Sequence, residues 1–367
     1  MTIFLRMICF VAGAAVSTLP AEAVVRDMNP SEVRAEGLSG NSITHAELDR
    51  LLVDAMARHK VPGAQMVIVN RGKIVYSSSQ GLSDVATHTI VTDRTLFEVA
   101  SLSKPLFGMF VMTFVERGQL DLDKPLYDYL PLYELADHPF AKKITARMVL
   151  THKTGLPNWR SESTKGLHFS FEPGTGFRYS GEGYEYLARV LARIAKTDLR
   201  GLDRLFVQRV SKPLGLEDIR FFLPDAARLR LAAPHIDGNR VEPEPRSDNF
   251  GAAYSVHSTA RQYASWAIAL TEGQKVLKHE SFAAYFAPQS VPIPIDDPQR
   301  AIGLSDWALG FSIYQLPQGL LYAHGGSNKG FTSMVAISRD RKWAAVLFTN
   351  ADQATPFILE MFGSLVA

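Results

Sequence analysis

Only one cysteine, Cys9, occurs in 367 residues, and it lies in the first apolar stretch of the chain. A disulfide framework is therefore excluded, as are zinc or iron–sulfur sites built on cysteine clusters. No His-Glu-x-x-His is present, and the glycine-rich loops that cradle nucleotide phosphates are missing too. The strand-to-helix serine turn Gly-x-Ser-x-Gly is likewise absent. Charge of one sign is scarce: 39 Lys and Arg face 37 Asp and Glu, a net of +2. No strong field draws such a chain to nucleic acid or to an anionic membrane. What is present is a composition 46% hydrophobic and 21% charged, that of a packed globular protein of one large domain or two.

The first 23 residues read as an export signal. Arg6 supplies the positive start, Met7 to Leu19 is an apolar stretch, and Ala21-Glu22-Ala23 is a cleavage site. The apolar run is shorter than the roughly 20 residues a bilayer span needs, so no stable membrane span is expected. The expectation is export, to the periplasm or outside the cell, with cleavage near Ala23. Retention of the segment as an anchor is the other reading.

Beyond it, Thr44-His45-Ala46-Glu47 has capping-box spacing. Leu48, Leu51, Leu52, Ala55 and Met56 then recur at helical spacing, up to Val61-Pro62-Gly63. Gln65 to Asn70, the turn Arg71-Gly72, and Lys73 to Ser79 read as a hairpin. A helix is expected from about Ser101 to Arg117, and others over Tyr184 to Lys196, Leu202 to Val210 and Ser258 to Glu272. Strand signals return at Phe311 to Gln315, Leu320 to Ala323, Thr332 to Ser338 and Trp343 to Thr349, before a last helix over Thr355 to Val366. Short strands joined by turns favour antiparallel pairing. The fold class is thus α/β of the α+β type. A mostly antiparallel sheet is drawn from residues 24–100 and 301–367, flanked by helices, with a largely helical region, 101–300, inserted.

One Ser-x-x-Lys occurs, Ser101-Leu102-Ser103-Lys104. On a helix, positions three apart share a face, so Lys104 reaches the Ser101 hydroxyl. A desolvated lysine gives up its proton more readily and can activate a serine. Free backbone N–H groups at a helix start would favour developing negative charge. Spacing alone fits a helix cap followed by a surface lysine as well.

The surrounding segments are more specific. Phe97-Glu98-Val99-Ala100-Ser101-Leu102-Ser103-Lys104 resembles the nucleophile segment of the serine β-lactamase and penicillin-binding-protein superfamily, particularly its class C-like branch. Met148 to Pro157 is similar to that family's "LLTHTSGLP" segment, and Glu172 to Ser180 to its "PGxxFxYSN". Pro213-Leu214-Gly215-Leu216 resembles "PLGM", and His324-Gly325-Gly326-Ser327 stands in place of "KTG". These motifs keep their order from about residue 45 to 360. The resemblance implies a β-lactamase/transpeptidase-like fold and acyl transfer to water through a serine ester. Ser101 would be the nucleophile, Lys104 its proton partner, and Tyr179 a second acid/base serving the leaving group. The backbone N–H groups of Ser101 and Ser327 would form the oxyanion hole, and His324, Gly325, Gly326, Ser327 and Gly181 would meet the substrate. No metal, organic cofactor or nucleic-acid partner is implied, only a small-molecule or peptide acyl substrate.

Two positions depart from the family pattern. Gly181 stands where many members carry Asn, which contacts a substrate amide carbonyl. His324 stands where β-lactamases usually carry Lys, and a histidine near its ordinary pKa is mostly neutral at pH 7. Weak β-lactam turnover is therefore expected, with carboxylic esters or D-peptide amides as the leading substrates. A binding or sensing module that acylates slowly, and a transacylase, are the alternatives. His152 is expected to be a structural group at a turn. Trp159, Tyr254 and Phe331 are candidates for the pocket wall. Phe107, Phe110, Met112 and Phe114 are expected in the core.

Overall fold

The computed structural model describes residues 33–244, 250–273 and 275–366; the export segment expected at 1–23 lies outside them. Helix α1 (His45–Arg58) starts at the expected capping box: the Thr44 hydroxyl accepts the Glu47 N–H and the Glu47 carboxylate accepts the Thr44 N–H. Leu48, Leu52, Ala55 and Met56 are buried, but Leu51 turns to solvent because it sits off that stripe.

Strands β1 (Gly63–Asn70) and β2 (Lys73–Asp84) form the hairpin. Its two loop residues, Arg71 and Gly72, both have positive φ, 52° and 75°. That conformation matches the twist of the flanking strands. β3 (Thr89–Ile90) pairs with the end of β2. Five strands follow late in the chain: β4 (Leu304–Trp307), β5 (Ser312–Leu316), β6 (Gly319–Asn328), β7 (Phe331–Ser338) and β8 (Trp343–Thr349). The eight-stranded sheet runs β4-β5-β6-β7-β8-β1-β2-β3, antiparallel throughout. β8 pairs with β1 in the register Val346 to Val67, so the two ends of the chain meet in mid-sheet.

Between β3 and β4 lie α2 (Ser103–Glu116), α3 (Gly181–Ile194), α4 (Ala260–Glu272) and α5 (His279–Phe286), and α6 (Thr355–Val366) follows β8. Side chains alternate across the central strands. Met66, Ile68, Ala345 and Leu347 pack on one face with Leu48, Leu52, Phe357 and Met361 of α1 and α6. Val67, Val69, Val346 and Phe348 pack on the other with the intervening helices. α2 is buried all round through Phe114, and its Phe107, Phe110, Met112 and Phe114 are core residues. Among the described residues no helix is long and apolar enough to cross a membrane.

Several expectations need correcting. Ser101 lies not on the long helix but on a 3₁₀ turn, Ala100–Leu102, immediately before it. The helix expected over Leu202 to Val210 ends at Phe206 and passes into a π turn, Val207–Ser211. β6 runs five residues past the expected end at Ala323, to Asn328, carrying His324 to Ser327 in extended backbone.

Candidate active site

The 3₁₀ turn that carries Ser101 is tied down on every side. The Ser103 hydroxyl donates to Ala100 O at 2.6 Å and accepts the Val256 N–H at 2.9 Å. Tyr263 donates its hydroxyl to Leu102 O, Tyr285 to Pro105 O, and the Ser333 hydroxyl to Val99 O. These bonds hold Ala100 in left-handed backbone, φ 49°, directly before the serine. A non-glycine residue there costs on the order of 1–3 kcal/mol, and the surrounding bonds sustain that strain.

Lys104, on the first turn of α2, is fully buried. Its Nζ donates to Ser101 Oγ at 3.1 Å and to Ala253 O at 3.0 Å. Burial pulls its pKa down to about 7, with the Glu185 carboxylate opposing the fall. Glu185, which accepts the Ala253 N–H at 2.9 Å, is itself pushed up to about 7 by burial. Sequence reasoning missed both Glu185 and Ala253. The glutamate is an ordinary helix residue in the sequence, and a carbonyl acceptor leaves no trace in residue identity.

Tyr179 enters from the segment before α3. Its ring lies 4.6 Å from Lys104 Nζ and 4.2 Å from the His152 ring, the two rings 30° from parallel. Burial raises the pKa of its phenol, with a hydrogen bond from Ser101 pulling the other way. His152 is fully buried, with φ 57°, and accepts the Ser180 N–H on Nδ1 at 3.1 Å. Burial first, and then Lys104, holds its pKa well down. It is thus a neutral plate under the Tyr179 ring.

His324 faces Tyr179 across the site, its Nε2 3.5 Å from the hydroxyl. Its Nδ1 lies 2.6 Å from Gly325 O. A carbonyl only accepts, so Nδ1 carries the proton and Nε2 presents a lone pair to the phenol. Burial, then the nearby Lys104, lowers the His324 pKa to about 3. The residue is therefore far more firmly neutral than an ordinary histidine.

β6 brings Gly326 against the nucleophile turn. A Cβ there would fall 2.4 Å from Ser333 Oγ, 2.5 Å from Val99 O and 3.1 Å from the Ser101 amide nitrogen. Only glycine permits this approach. Ser101, Lys104, Tyr179 and His324 are thus brought together, with Gly325 to Ser327 alongside.

A cleft of about 860 Å³ opens beside this cluster, lined by Ser327, Asn328, Trp159, Tyr254, Phe221 and Leu231 among others. Phe331 is not on its wall but is buried in the core. Gly181 is buried too: it lies beneath the Trp159 indole, whose ring atoms come within 2.6–2.9 Å of where a Cβ would stand.

A family model described as Beta-lactamase matches residues 48–361. Esterase EstB of Burkholderia gladioli is 30% identical over 230 residues, which span 54% of this chain and only 56% of that esterase. Penicillin-binding protein 4 of Amycolatopsis lactamdurans is 24% identical over 349 residues, 88% of this chain and 89% of that protein. The crystal structure of a class C beta lactamase from Rhodobacter sphaeroides superposes with a TM-score of 0.71 at 20% identity, covering 87% of this chain and 97% of that one. That likeness confirms the expected fold.

Proposed function

This chain belongs to the Beta-lactamase family, and from that premise we propose that it is a serine hydrolase that cleaves carboxylic esters through a Ser101 acyl-enzyme. The observation that carries the reading is a buried Lys104 Nζ, 3.1 Å from Ser101 Oγ, with a pKa near 7. A large fraction of such a lysine is neutral at physiological pH, ready to accept the serine proton.

Ser101 Oγ attacks the acyl carbon as its proton passes to Lys104 Nζ. The developing oxyanion is met by the backbone N–H groups of Ser101 and Ser327. Collapse expels the alcohol oxygen, which takes its proton from the Tyr179 hydroxyl, and Lys104 then restores that proton. A phenol whose pKa is raised is a donor across the neutral range, so base and acid are divided between Lys104 and Tyr179. In deacylation the same pair takes a proton from the attacking water; the acyl carbon–Oγ bond then breaks, the proton passes to Ser101 Oγ, and the carboxylic acid leaves.

His324 accepts from Tyr179 and carries no charge, so it offers no cation to a substrate carboxylate. This favours esters over β-lactams and carboxylate-bearing D-peptides. The apolar segment Met7 to Leu19 and its Ala21-Glu22-Ala23 site support action outside the cytoplasm. The test is labelling with a serine-directed fluorophosphonate, followed by mass mapping. Label on Ser101, lost in Lys104→Ala, is the expected result. Folded protein that takes no label contradicts the reading and favours a binding module.

A further inference from the structure

We propose that Trp159 is a specificity-determining residue: its indole, seated on Gly181, forms an apolar wall of the acyl site that selects esters with an extended apolar acyl chain. This rests on the hydrolase reading above.

Gly181 follows Tyr179 by two residues and opens α3. Any side chain at 181 would project to a point 2.6 Å from Trp159 Cη2, 2.8 Å from Cζ2 and 2.9 Å from Cζ3. Contacts that close do not occur, so indole and side chain exclude one another. Position 181, two residues after the acid/base tyrosine, therefore presents the carbon of the indole rather than a hydrogen-bonding side chain of its own.

The indole is built into place from both sides. On one side, Asn158 O accepts the Gly181 and Glu182 N–H groups at 3.1 and 3.0 Å, and Asn158 Oδ1 accepts the Gly181 N–H at 3.0 Å. On the other, the Arg160 N–H and Nε donate to Glu182 Oε1, both at 2.9 Å, and Nη2 donates to Oε2 at 2.8 Å. The backbone of Trp159 is thus fixed between two residues bonded to the first turn of α3, and its ring is seated on Gly181. Its free side meets Tyr254 edge-on, ring centroids 5.7 Å apart at 79°. Both rings line the cleft together with Ser327. A polar acyl amide laid against the face of the indole would exchange water for ring carbon there, which costs about 1–3 kcal/mol. A hydrocarbon chain gains about 0.8 kcal/mol per buried methylene.

The test compares kcat/KM for p-nitrophenyl acetate, butyrate and hexanoate in the wild type, Trp159→Ala and Trp159→Phe. Fluorophosphonate labelling of Ser101 reports in parallel whether each nucleophile assembly is intact. The wild type is expected to prefer hexanoate to acetate by at least tenfold. Trp159→Ala is expected to remove most of that preference and Trp159→Phe to keep a part of it. Gly181→Ala, which keeps the indole but drives it from its seat, is expected to reduce the preference as well, so a poorly folding Trp159→Ala does not end the test. A wild type that labels at Ser101 yet shows no chain-length preference, or variants that label and keep the full preference, would overturn the proposal while leaving the hydrolase reading standing. A wild type that takes no label overturns both.

Discussion

The middle of the sheet and the edge of the cleft are built by opposite rules. In β1 and β8 the side chains from Ala64 to Val69 and from Trp343 to Thr349 are buried, nearly all apolar, and divided evenly between two covered faces. At the cleft the chain holds Ala100 and His152 in left-handed backbone, buries a lysine at its nucleophile, and keeps two histidines without charge. The first region gains stability from each residue. The second spends part of it on groups that would be cheaper in water, as sites with reactive side chains commonly do. Substitutions in the sheet should thus change stability and leave chemistry alone, while substitutions at the cleft should do the reverse.

The sharpest contrast is Lys104→Ala. Loss of the base should lower kcat/KM for an ester by about 10²–10⁴-fold, measured by steady-state kinetics on protein shown to be folded by circular dichroism. Gly326→Ala comes next. Its Cβ forces β6 off the nucleophile turn, and a displacement of about 1 Å should cost on the order of 100-fold in kcat/KM. Leu347→Ala, in the fully buried middle of β8, should cost about 2–5 kcal/mol in urea unfolding while kcat/KM of the folded fraction stays at the wild-type level. If Leu347→Ala alters turnover, or Gly326→Ala alters only stability, the division is wrong.

The smallest effect has a sign of its own. The Lys104 pKa in the fold, about 7, lies below its ordinary value of 10.5. The unfolded chain therefore binds the proton more tightly. The cost of burying the charge is fully present below pH 7 and fades as pH rises from 7 toward 10.5. Lys104→Met should raise the melting temperature by a few degrees at pH 6 and by less at pH 9, as differential scanning calorimetry will read.

Much of the sheet was legible in the sequence because its signals are local. The capping box at Thr44 and the Arg71-Gly72 turn each fix their own backbone, and Trp343–Thr349 and Thr355–Val366 fall at their expected bounds. β4 and α5 were not foreseen. β4 is short and interrupted by a bulge between Leu304 and Asp306, and the proline-rich loop before it obscured the pattern. The apolar run in β6 ends at Ala323, and the two glycines after it carry no strand signal of their own; Gly326 instead marks a close approach to Val99 and Ser101.

At the site, the residue types and their order pointed to Ser101, Lys104, Tyr179 and His324. Their protonation did not follow from the sequence, because burial sets it: His324 falls to about 3 and Lys104 to about 7 only when packed together. Gly181 was readable as a missing side chain, but not as the seat of Trp159, a relation between residues 22 positions apart.

The central claim is that neutral Lys104 is the base that activates Ser101. The most direct measurement is the rate of fluorophosphonate labelling of Ser101 between pH 5 and 9, in the wild type and in Lys104→Ala. The protonated amine cannot accept the serine proton, so the wild-type rate should fall tenfold per unit below about pH 7 and level off above it, with no inflection from His324. Lys104→Ala should label slowly and without that step. Equal labelling of the two proteins, or a rate that simply follows hydroxide to pH 9, would contradict the account.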